Sequence, residues 1–449
     1  MTATLTYNIL PPFKHQAITS QFMLDNDRVF CTSDPGTGKT RSVLDAIKQR
    51  PGRTLIFCPK SIITPSWGED IKKFTPELNY AVAKAPNRFD AFNLKAKIVL
   101  INHDGAKWVA DNMGVLEGFD TLVLDESTFI KNPTAQRSKA VAKIASHFTY
   151  RVALTGTPNP QGLTDLWQQM YVLDDGDRLG KSFYKFRMAT YTPISKGGFT
   201  QWEEKEGAQD AVFGLIDDMN IRYKFEDCID TPENSVHIIP FELSTKHLAL
   251  YTKLKNQAVL AHNNATITGV NAAALAGKLM QAASGSVYDE DGVPQLIASE
   301  RYELIIDLIE QREQCVVAFL WKHQKTQLIE LATKRGVTFA VIDGTATTEE
   351  RNHAVEMFQA GLIKAIFAHP KSASHGLTLT NGTTTIWCSP TYSVEHFEQF
   401  NRRIYRAGQT RKTETLLITA TGTIDEKAYE ILTTKHAKMT NLLELLTHD

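Results

Sequence analysis

The sequence predicts an α/β protein: two units with parallel sheets, joined by a helical insertion. Three observations carry this expectation. Short apolar runs separated by amphipathic segments begin at residue 28, a second such series begins near residue 315, and the stretch between them reads differently. Alternation of strand-length apolar runs with helical patterns is the mark of a parallel sheet covered on both faces.

In the first series the runs are "RVFCTS", "TLIFCP", "AKIVLINH", "TLVLDES" and "RVALTGT". In the second they are "CVVAFLW", "VTFAVIDG", "IKAIFAHP", "TTTIWCSP" and "ETLLITAT", with helical patterns in "HQKTQLIELATKRG" and "TTEERNHAVEMFQAG". The middle holds aromatic-rich turns ("SFYKFRMATYTPISKGGFTQW"), then helical "STKHLALYTKLKNQAVLAHNN" and alanine-rich "NAAALAGKLMQAA". The closing "TIDEKAYEILTTKHAKMTNLLELL" has Thr or Asp as N-cap and apolar residues near helical spacing. The expected division is residues 1–160, an insertion and linker over 161–295, and 296–449.

Composition limits the function classes. The 449 residues carry a formal net charge of -1, with 42% hydrophobic and 22% charged residues. A nucleic-acid site on such a chain must be a local groove rather than a basic coat. The five cysteines are scattered without metal-ligand spacing and read as reduced thiols. No secretory pattern opens the chain and no run reaches the length of a membrane span, so a cytoplasmic protein is expected.

"SDPGTGKT" lies between the run "RVFCTS" and the helical "RSVLDAIKQR". The pattern GxxxxGK[ST] would place glycine at 33, where this chain has Ser33, but Gly36, Gly38, Lys39 and Thr40 are in place. Such glycines let backbone N–H groups wrap phosphates, Lys39 reaches the terminal phosphate oxygens, Thr40 can hold Mg²⁺, and the next helix adds its positive end. "TLVLDEST" ends an apolar strand in Asp125 and Glu126. A pair of acids at a strand end is common on its own. After a phosphate loop and before "LTGTP" it points to nucleoside triphosphate hydrolysis, with Asp125 on Mg²⁺ and Glu126 deprotonating the attacking water.

In this order the motifs resemble helicase superfamily 2, and within it the SNF2-type DNA translocases in their compact phage and prophage form. The elements are "FKHQ", the phosphate loop, "LIFCPKSIITPSWGEDIKKF", "DESTFIKNPTAQRSKA", "VALTGTPNPQGLTDLWQQMYVLDDGDRLGK", "VIDGTATTEERNHAVEMFQAG", "FAHPKSASHGLTLTNGTTTIWCSP", "SVEHFEQFNRRIYRAGQ" and "TIDEKAYEILTTKHAKM". The resemblance implies two RecA-like domains with ATP and Mg²⁺ between them. It implies that Gln16 reads adenine, that Gly36, Thr37, Gly38, Lys39 and Thr40 hold phosphate, and that Gly376 faces the nucleotide. Arg403 and Arg406, one helical turn apart, would supply charge to the transferred phosphoryl group, with Gln399 near it. Lys60, Ser61, Lys371, Ser372 and His375 are the implied DNA contacts, and Thr128, Thr155 and Thr157 the implied coupling residues. Departures from the family pattern are Thr128 where motif II often has His, Gln161 where Asn is frequent, and Arg402 where an acid usually precedes the first arginine.

Trp67 and Trp321 read as packing aromatics with base stacking as the alternative. Lys322 and Lys325 read as a solvated loop. Arg402, Arg411 and Lys412 are left for the phosphate backbone or solvent. The expected activity is an ATP-driven motor on duplex or branched DNA, in a bacterial or phage-infected cytoplasm, without membrane or structural metal. A strand-separating DNA or RNA helicase is the neighbouring alternative. A P-loop kinase would leave the second unit and its arginines without a role, and a non-catalytic module would not need Lys39, Asp125 and Glu126.

Overall fold

The computed structural model describes residues 11–159, 162–196, 199–228, 231–264, 269–289, 291–373 and 377–444. The chain divides into two compact units, residues 1–229 with 438–449, and residues 230–437. The passage between them falls inside the stretch read from sequence as insertion and linker.

The first unit contains β1 (Arg28–Cys31), β2 (Arg53–Cys58), β3 (Tyr80–Ala83), β4 (Ile98–Asn102), β5 (Phe119–Asp125) and β6 (Tyr150–Leu154). An antiparallel hairpin follows, β7 (Tyr191–Lys196) and β8 (Phe199–Glu204), and then the short β9 (Asn220–Ile221). The sheet runs β3-β4-β2-β5-β6-β1-β9, parallel throughout. Its strands are apolar along their length because both faces are covered; Leu55, Ile56 and Phe57 of β2 are all fully buried. Helix α1 (Lys14–Asp25) precedes β1, and α2 (Lys39–Gln49) follows it, burying Val43, Leu44, Ala46 and Ile47.

Strand register positions the site. Cys31 at the end of β1 pairs with Leu154 at the end of β6, and Leu154 pairs with Asp125 at the end of β5. Three neighbouring strands therefore finish level, and the loops that leave them carry "SDPGTGKT", "EST" and "TGTP". Open parallel sheets bind ligands beyond these carboxyl ends.

The second unit holds β10 (Asn234–Phe241), the small pair β11 (Ser286–Tyr288) and β12 (Pro294–Leu296), and then β13 (Cys315–Ala318), β14 (Phe339–Ile342), β15 (Ala365–Ala368), β16 (Thr384–Trp387) and β17 (Thr413–Ala420). Its sheet runs β10-β17-β16-β13-β15-β14, again parallel. Helix Thr348–Gln359 starts at a reciprocal cap: Thr347 Oγ1 accepts from Glu350 N at 3.2 Å, and the Glu350 carboxylate accepts from Thr347 N at 2.7 Å. The closing helix Ile424–Glu444 begins where Thr423 Oγ1 accepts from Asp425 N at 3.2 Å. Asp425 is buried and ion-paired with Arg301, whose guanidinium also donates to the carbonyl of Ala283 at 3.0 Å. Among the described residues no helix is long and apolar enough to cross a membrane.

Candidate active site

The phosphate loop turns on two glycines in left-handed conformation, Gly36 at φ 90° and Gly38 at φ 85°. Gly38 is the residue before α2, so the loop hands directly to a helix N-terminus. A Cβ on Gly38 would stand 2.2 Å from Nε2 of Gln16. Gln16 thus lies against the loop; its amide donates to the Thr37 carbonyl at 3.1 Å and its oxygen accepts from Phe13 N at 3.1 Å. Lys39 Nζ sits over the loop, donating to the carbonyls of Ser33 at 2.7 Å and Asp34 at 3.1 Å.

Ser33, where the motif would have glycine, has a tertiary explanation. It is buried, and its hydroxyl accepts from the backbone N of Tyr223 at 3.0 Å. The next residue, Asp34, is gripped by the same segment: Arg222 Nη2 reaches Oδ1 at 2.8 Å, and Phe225 N reaches Oδ2 at 3.1 Å. The chain following β9 therefore braces the start of the phosphate loop. Arg222 had no signal in the sequence, since a lone arginine in "NIRYKF" is indistinguishable from a surface cation.

Asp125 ends β5, and its Oδ2 accepts from the indole N–H of Trp67 at 2.7 Å. Trp67 is fully buried and so is packing rather than stacking on a base. Burial raises the Asp125 pKa, while the Trp67 hydrogen bond and the charge of Lys39 act in the opposite direction. The carbonyl of Asp125 accepts from the Nε2 of His103 at 2.9 Å, which fixes that ring nitrogen as the protonated one. His103 stacks on Phe129, centroids 3.7 Å apart at 4°, and burial lowers its pKa to about 3, so the ring stays neutral. Glu126 follows at φ 55° and ψ 57°, one of three non-glycine residues with positive φ among those described. A left-handed glutamate costs roughly 1 kcal/mol, a strain of the kind that gathers at functional sites.

Thr155 is fully buried; its N donates to the Cys31 carbonyl at 3.1 Å, and its hydroxyl accepts from Thr157 N at 3.1 Å. A Cβ on Gly156 would come within 2.6 Å of Pro35, so this turn touches the phosphate loop. Thr157 is buried beside it, and Thr128 is buried in the single turn Ser127–Ile130 after Glu126. Thr40 and Asp125 offer the hard oxygen donors that Mg²⁺ takes. Among the described residues no group of three or more His, Cys, Asp or Glu is arranged to hold a metal.

In the second unit, helix Val394–Asn401 ends before the arginines, so Arg403 and Arg406 do not share a helix face. The regular ladder breaks after Arg402 N to Glu398 O at 3.1 Å: Arg403 N bonds one residue short, to Phe400 O at 3.0 Å, tightening the chain into a turn, and one isolated i→i−4 bond follows, from Tyr405 N to Asn401 O at 3.3 Å. Asn401 is held by Trp387, whose Nε1 donates to its side-chain oxygen at 2.9 Å. The turn still brings the two cations together. Arg403 Nη1 donates to the Leu377 carbonyl at 3.3 Å and Arg406 Nη1 to the same oxygen at 2.9 Å, while Arg403 Nε donates to Gln399 O at 2.7 Å. Gln399 and Arg403 are buried. Arg402 lies over the ring of Tyr405 at 4.9 Å, Arg411 pairs with Glu313, and Lys412 is exposed.

Of the expected nucleic-acid contacts, Lys60 is exposed in the turn Lys60–Ile62, which also contains Ser61. Lys371 is exposed and Ser372 half-buried in the short helix Pro370–Ala373. Gln161, His375 and Gly376 lie outside the described residues. Lys322 and Lys325 are not in a solvated loop. They open helix Lys322–Arg335, and Lys325 Nζ pairs with Asp343 at 2.8 Å, because the helix begins directly after Trp321. Trp321 stacks on His323 with ring centroids 5.7 Å apart.

The fold is that of two α/β units with parallel sheets, the first carrying a phosphate loop beside an acidic strand end, and comparison with known proteins gives the family. Residues 15–283 match the SNF2-related domain, and residues 300–408 match the helicase conserved C-terminal domain. The chain belongs to the SNF2-related family. It is 28% identical to protein p41 of Acyrthosiphon pisum secondary endosymbiont phage 1, over 97% of this chain and 98% of p41. YwqA of Bacillus subtilis, named as an ATP-dependent helicase/translocase, is 27% identical over 90% of this chain and 45% of its own length. The human DNA annealing helicase and endonuclease ZRANB3 is 23% identical over 91% of this chain and 38% of its own. The chain thus spans less than half the length of the latter two. Among solved structures, the Sulfolobus solfataricus SWI2/SNF2 ATPase core in complex with dsDNA aligns over 99% of this chain and 95% of that one, at 21% identity and a TM-score of 0.46.

Proposed function

We propose that this chain is a DNA-dependent ATPase that uses ATP and Mg²⁺ to translocate along DNA, with duplex or branched DNA preferred. The observation that carries the reading is the level ending of β1, β5 and β6, which sets Lys39, Asp125 with Glu126, and the Thr155–Thr157 turn on one edge of one sheet. Family membership and the names of its relatives support ATP as the fuel and DNA as the track.

In this reading Gly36, Thr37, Gly38, Lys39 and Thr40 bind the phosphates, and Gln16 and Gly376 add contacts to the nucleotide. Thr40 and Asp125 hold Mg²⁺, which neutralises phosphate charge and helps align the groups. Glu126 takes the proton of the attacking water, a role suited by its fixed, strained backbone. Arg403 and Arg406 supply positive charge to the phosphoryl group in transit, and Gln399 orients it or the water. Lys60, Ser61, Lys371, Ser372 and His375 contact the DNA backbone, a sequence-independent mode suited to tracking. Thr128, Thr155 and Thr157 link nucleotide state to DNA grip.

ATP hydrolysis measured in parallel without nucleic acid and with single-stranded, duplex and branched DNA and RNA tests this. Duplex or branched DNA should stimulate most. Equal rates with and without nucleic acid would remove the motor reading, and stimulation by RNA alone would make the chain an RNA helicase.

A further inference from the structure

Helix Thr164–Asp174 packs an apolar face inward, with Leu166, Met170 and Leu173 fully buried. Gln169 stands on the buried side of the same helix and is itself fully buried. A polar amide there is costly unless every hydrogen-bonding atom is used, and here each one is. Its Nε2 donates to the Pro158 carbonyl at 2.8 Å and the Asp165 carbonyl at 2.7 Å. Its Oε1 accepts from the Ser127 hydroxyl at 2.6 Å. The partners fix the amide's orientation: turned over, its oxygen would face two carbonyl oxygens.

The two ends of this link matter. Ser127 follows Glu126 directly and is also fully buried. Pro158 closes the "TGTP" turn, whose Gly156 abuts the phosphate loop. A second tie runs parallel, from Lys131 Nζ to Asp165 Oδ2 at 3.3 Å. One side chain thereby joins the loop that carries the general base to the loop that touches the phosphate cradle.

We infer that Gln169 is a positioning residue for ATP hydrolysis, locking Ser127 to Pro158 so that Glu126 and the "TGTP" turn hold a single relative geometry. The inference rests on the ATPase reading. It explains why an amide is present where leucine would pack without any polar requirement. Ser127→Ala cuts the link while leaving the amide bonded to Pro158 and Asp165. Gln169→Met cuts all of it at similar volume.

The test is steady-state ATP hydrolysis by the full chain with saturating duplex DNA, alongside thermal unfolding. Ser127→Ala should lower kcat roughly tenfold to a hundredfold, the scale of a small misplacement of reacting groups, with KM for ATP nearly unchanged. Ser127→Thr, which keeps the hydroxyl, should restore most of the rate. The double variant should be no slower than Gln169→Met alone, because both break one link. Wild-type kcat in a folded Ser127→Ala protein overturns the inference, as do losses that multiply in the double variant. If Gln169→Met does not fold, the Ser127→Ala and Ser127→Thr pair decides. A wild-type chain that hydrolyses no ATP sinks the ATPase reading itself, a different result from an active wild type with an indifferent Ser127→Ala.

Discussion

The phosphate-loop edge of the first unit and the "NRRIYRAGQT" segment of the second hold their charged groups in different ways. In the first, backbone conformation does the placing: Gly36, Gly38 and Glu126 all have positive φ, and the side chains that brace them come from distant parts of the sequence. In the second, the backbone leaves its helix at Asn401, and Arg403 and Arg406 are placed by their own guanidinium groups, which converge on the Leu377 carbonyl. A site fixed by its backbone tolerates little change in residue type. A site fixed by long side chains on one carbonyl can be altered cation by cation, and the functions of those cations can be separated.

The largest expected effects test the first region. Lys39→Ala or Glu126→Gln should abolish ATP turnover while Glu126→Gln still binds ATP, as equilibrium nucleotide binding would report. Arg403→Ala comes next, with hydrolysis falling by about 10³-fold or more, the scale seen when an arginine that supports phosphoryl transfer is lost. Arg222→Ala removes the cation paired with Asp34 at the start of the phosphate loop. Removing one partner of a buried ion pair costs about 3 kcal/mol, so chemical denaturation should show a clear loss of stability.

A smaller effect concerns pH. His103 titrates near 6.5 when unfolded and at about 3 when folded, so the unfolded chain binds the extra proton between those values. The stability it confers is complete above about 6.5 and is lost as pH falls toward about 3. Thermal unfolding across that range should be less pH-dependent in His103→Gln. The smallest change expected is from Arg411→Ala, since its pairing with the exposed Glu313 is worth at most about 1 kcal/mol.

Much of the fold was legible because parallel strands buried on both faces leave near-continuous apolar runs, and those runs correspond to β1, β2, β4, β5 and β6 and to β13 through β17. The phosphate loop and the acidic pair were legible because their chemistry is local in sequence. What escaped acts across the fold. Arg222, His103 and Gln169 carry no local pattern, and each gains meaning only where the fold sets it against Asp34, Asp125 or Ser127; Trp67 read as a packing aromatic, but its bond to Asp125 did not show. The arginine segment was misread in geometry for a related reason. Helical spacing continues past Asn401, but the Trp387–Asn401 bond and the tightened Arg403 turn end the helix there.

The central claim is that Arg403 and Arg406 of "NRRIYRAGQT" serve chemistry at ATP rather than grip on DNA. It is tested most directly by measuring ATP hydrolysis and duplex binding by Arg403→Ala on the same preparation at fixed salt. Severe loss of hydrolysis with duplex affinity near wild type is the predicted result; lost duplex binding with intact hydrolysis would contradict it.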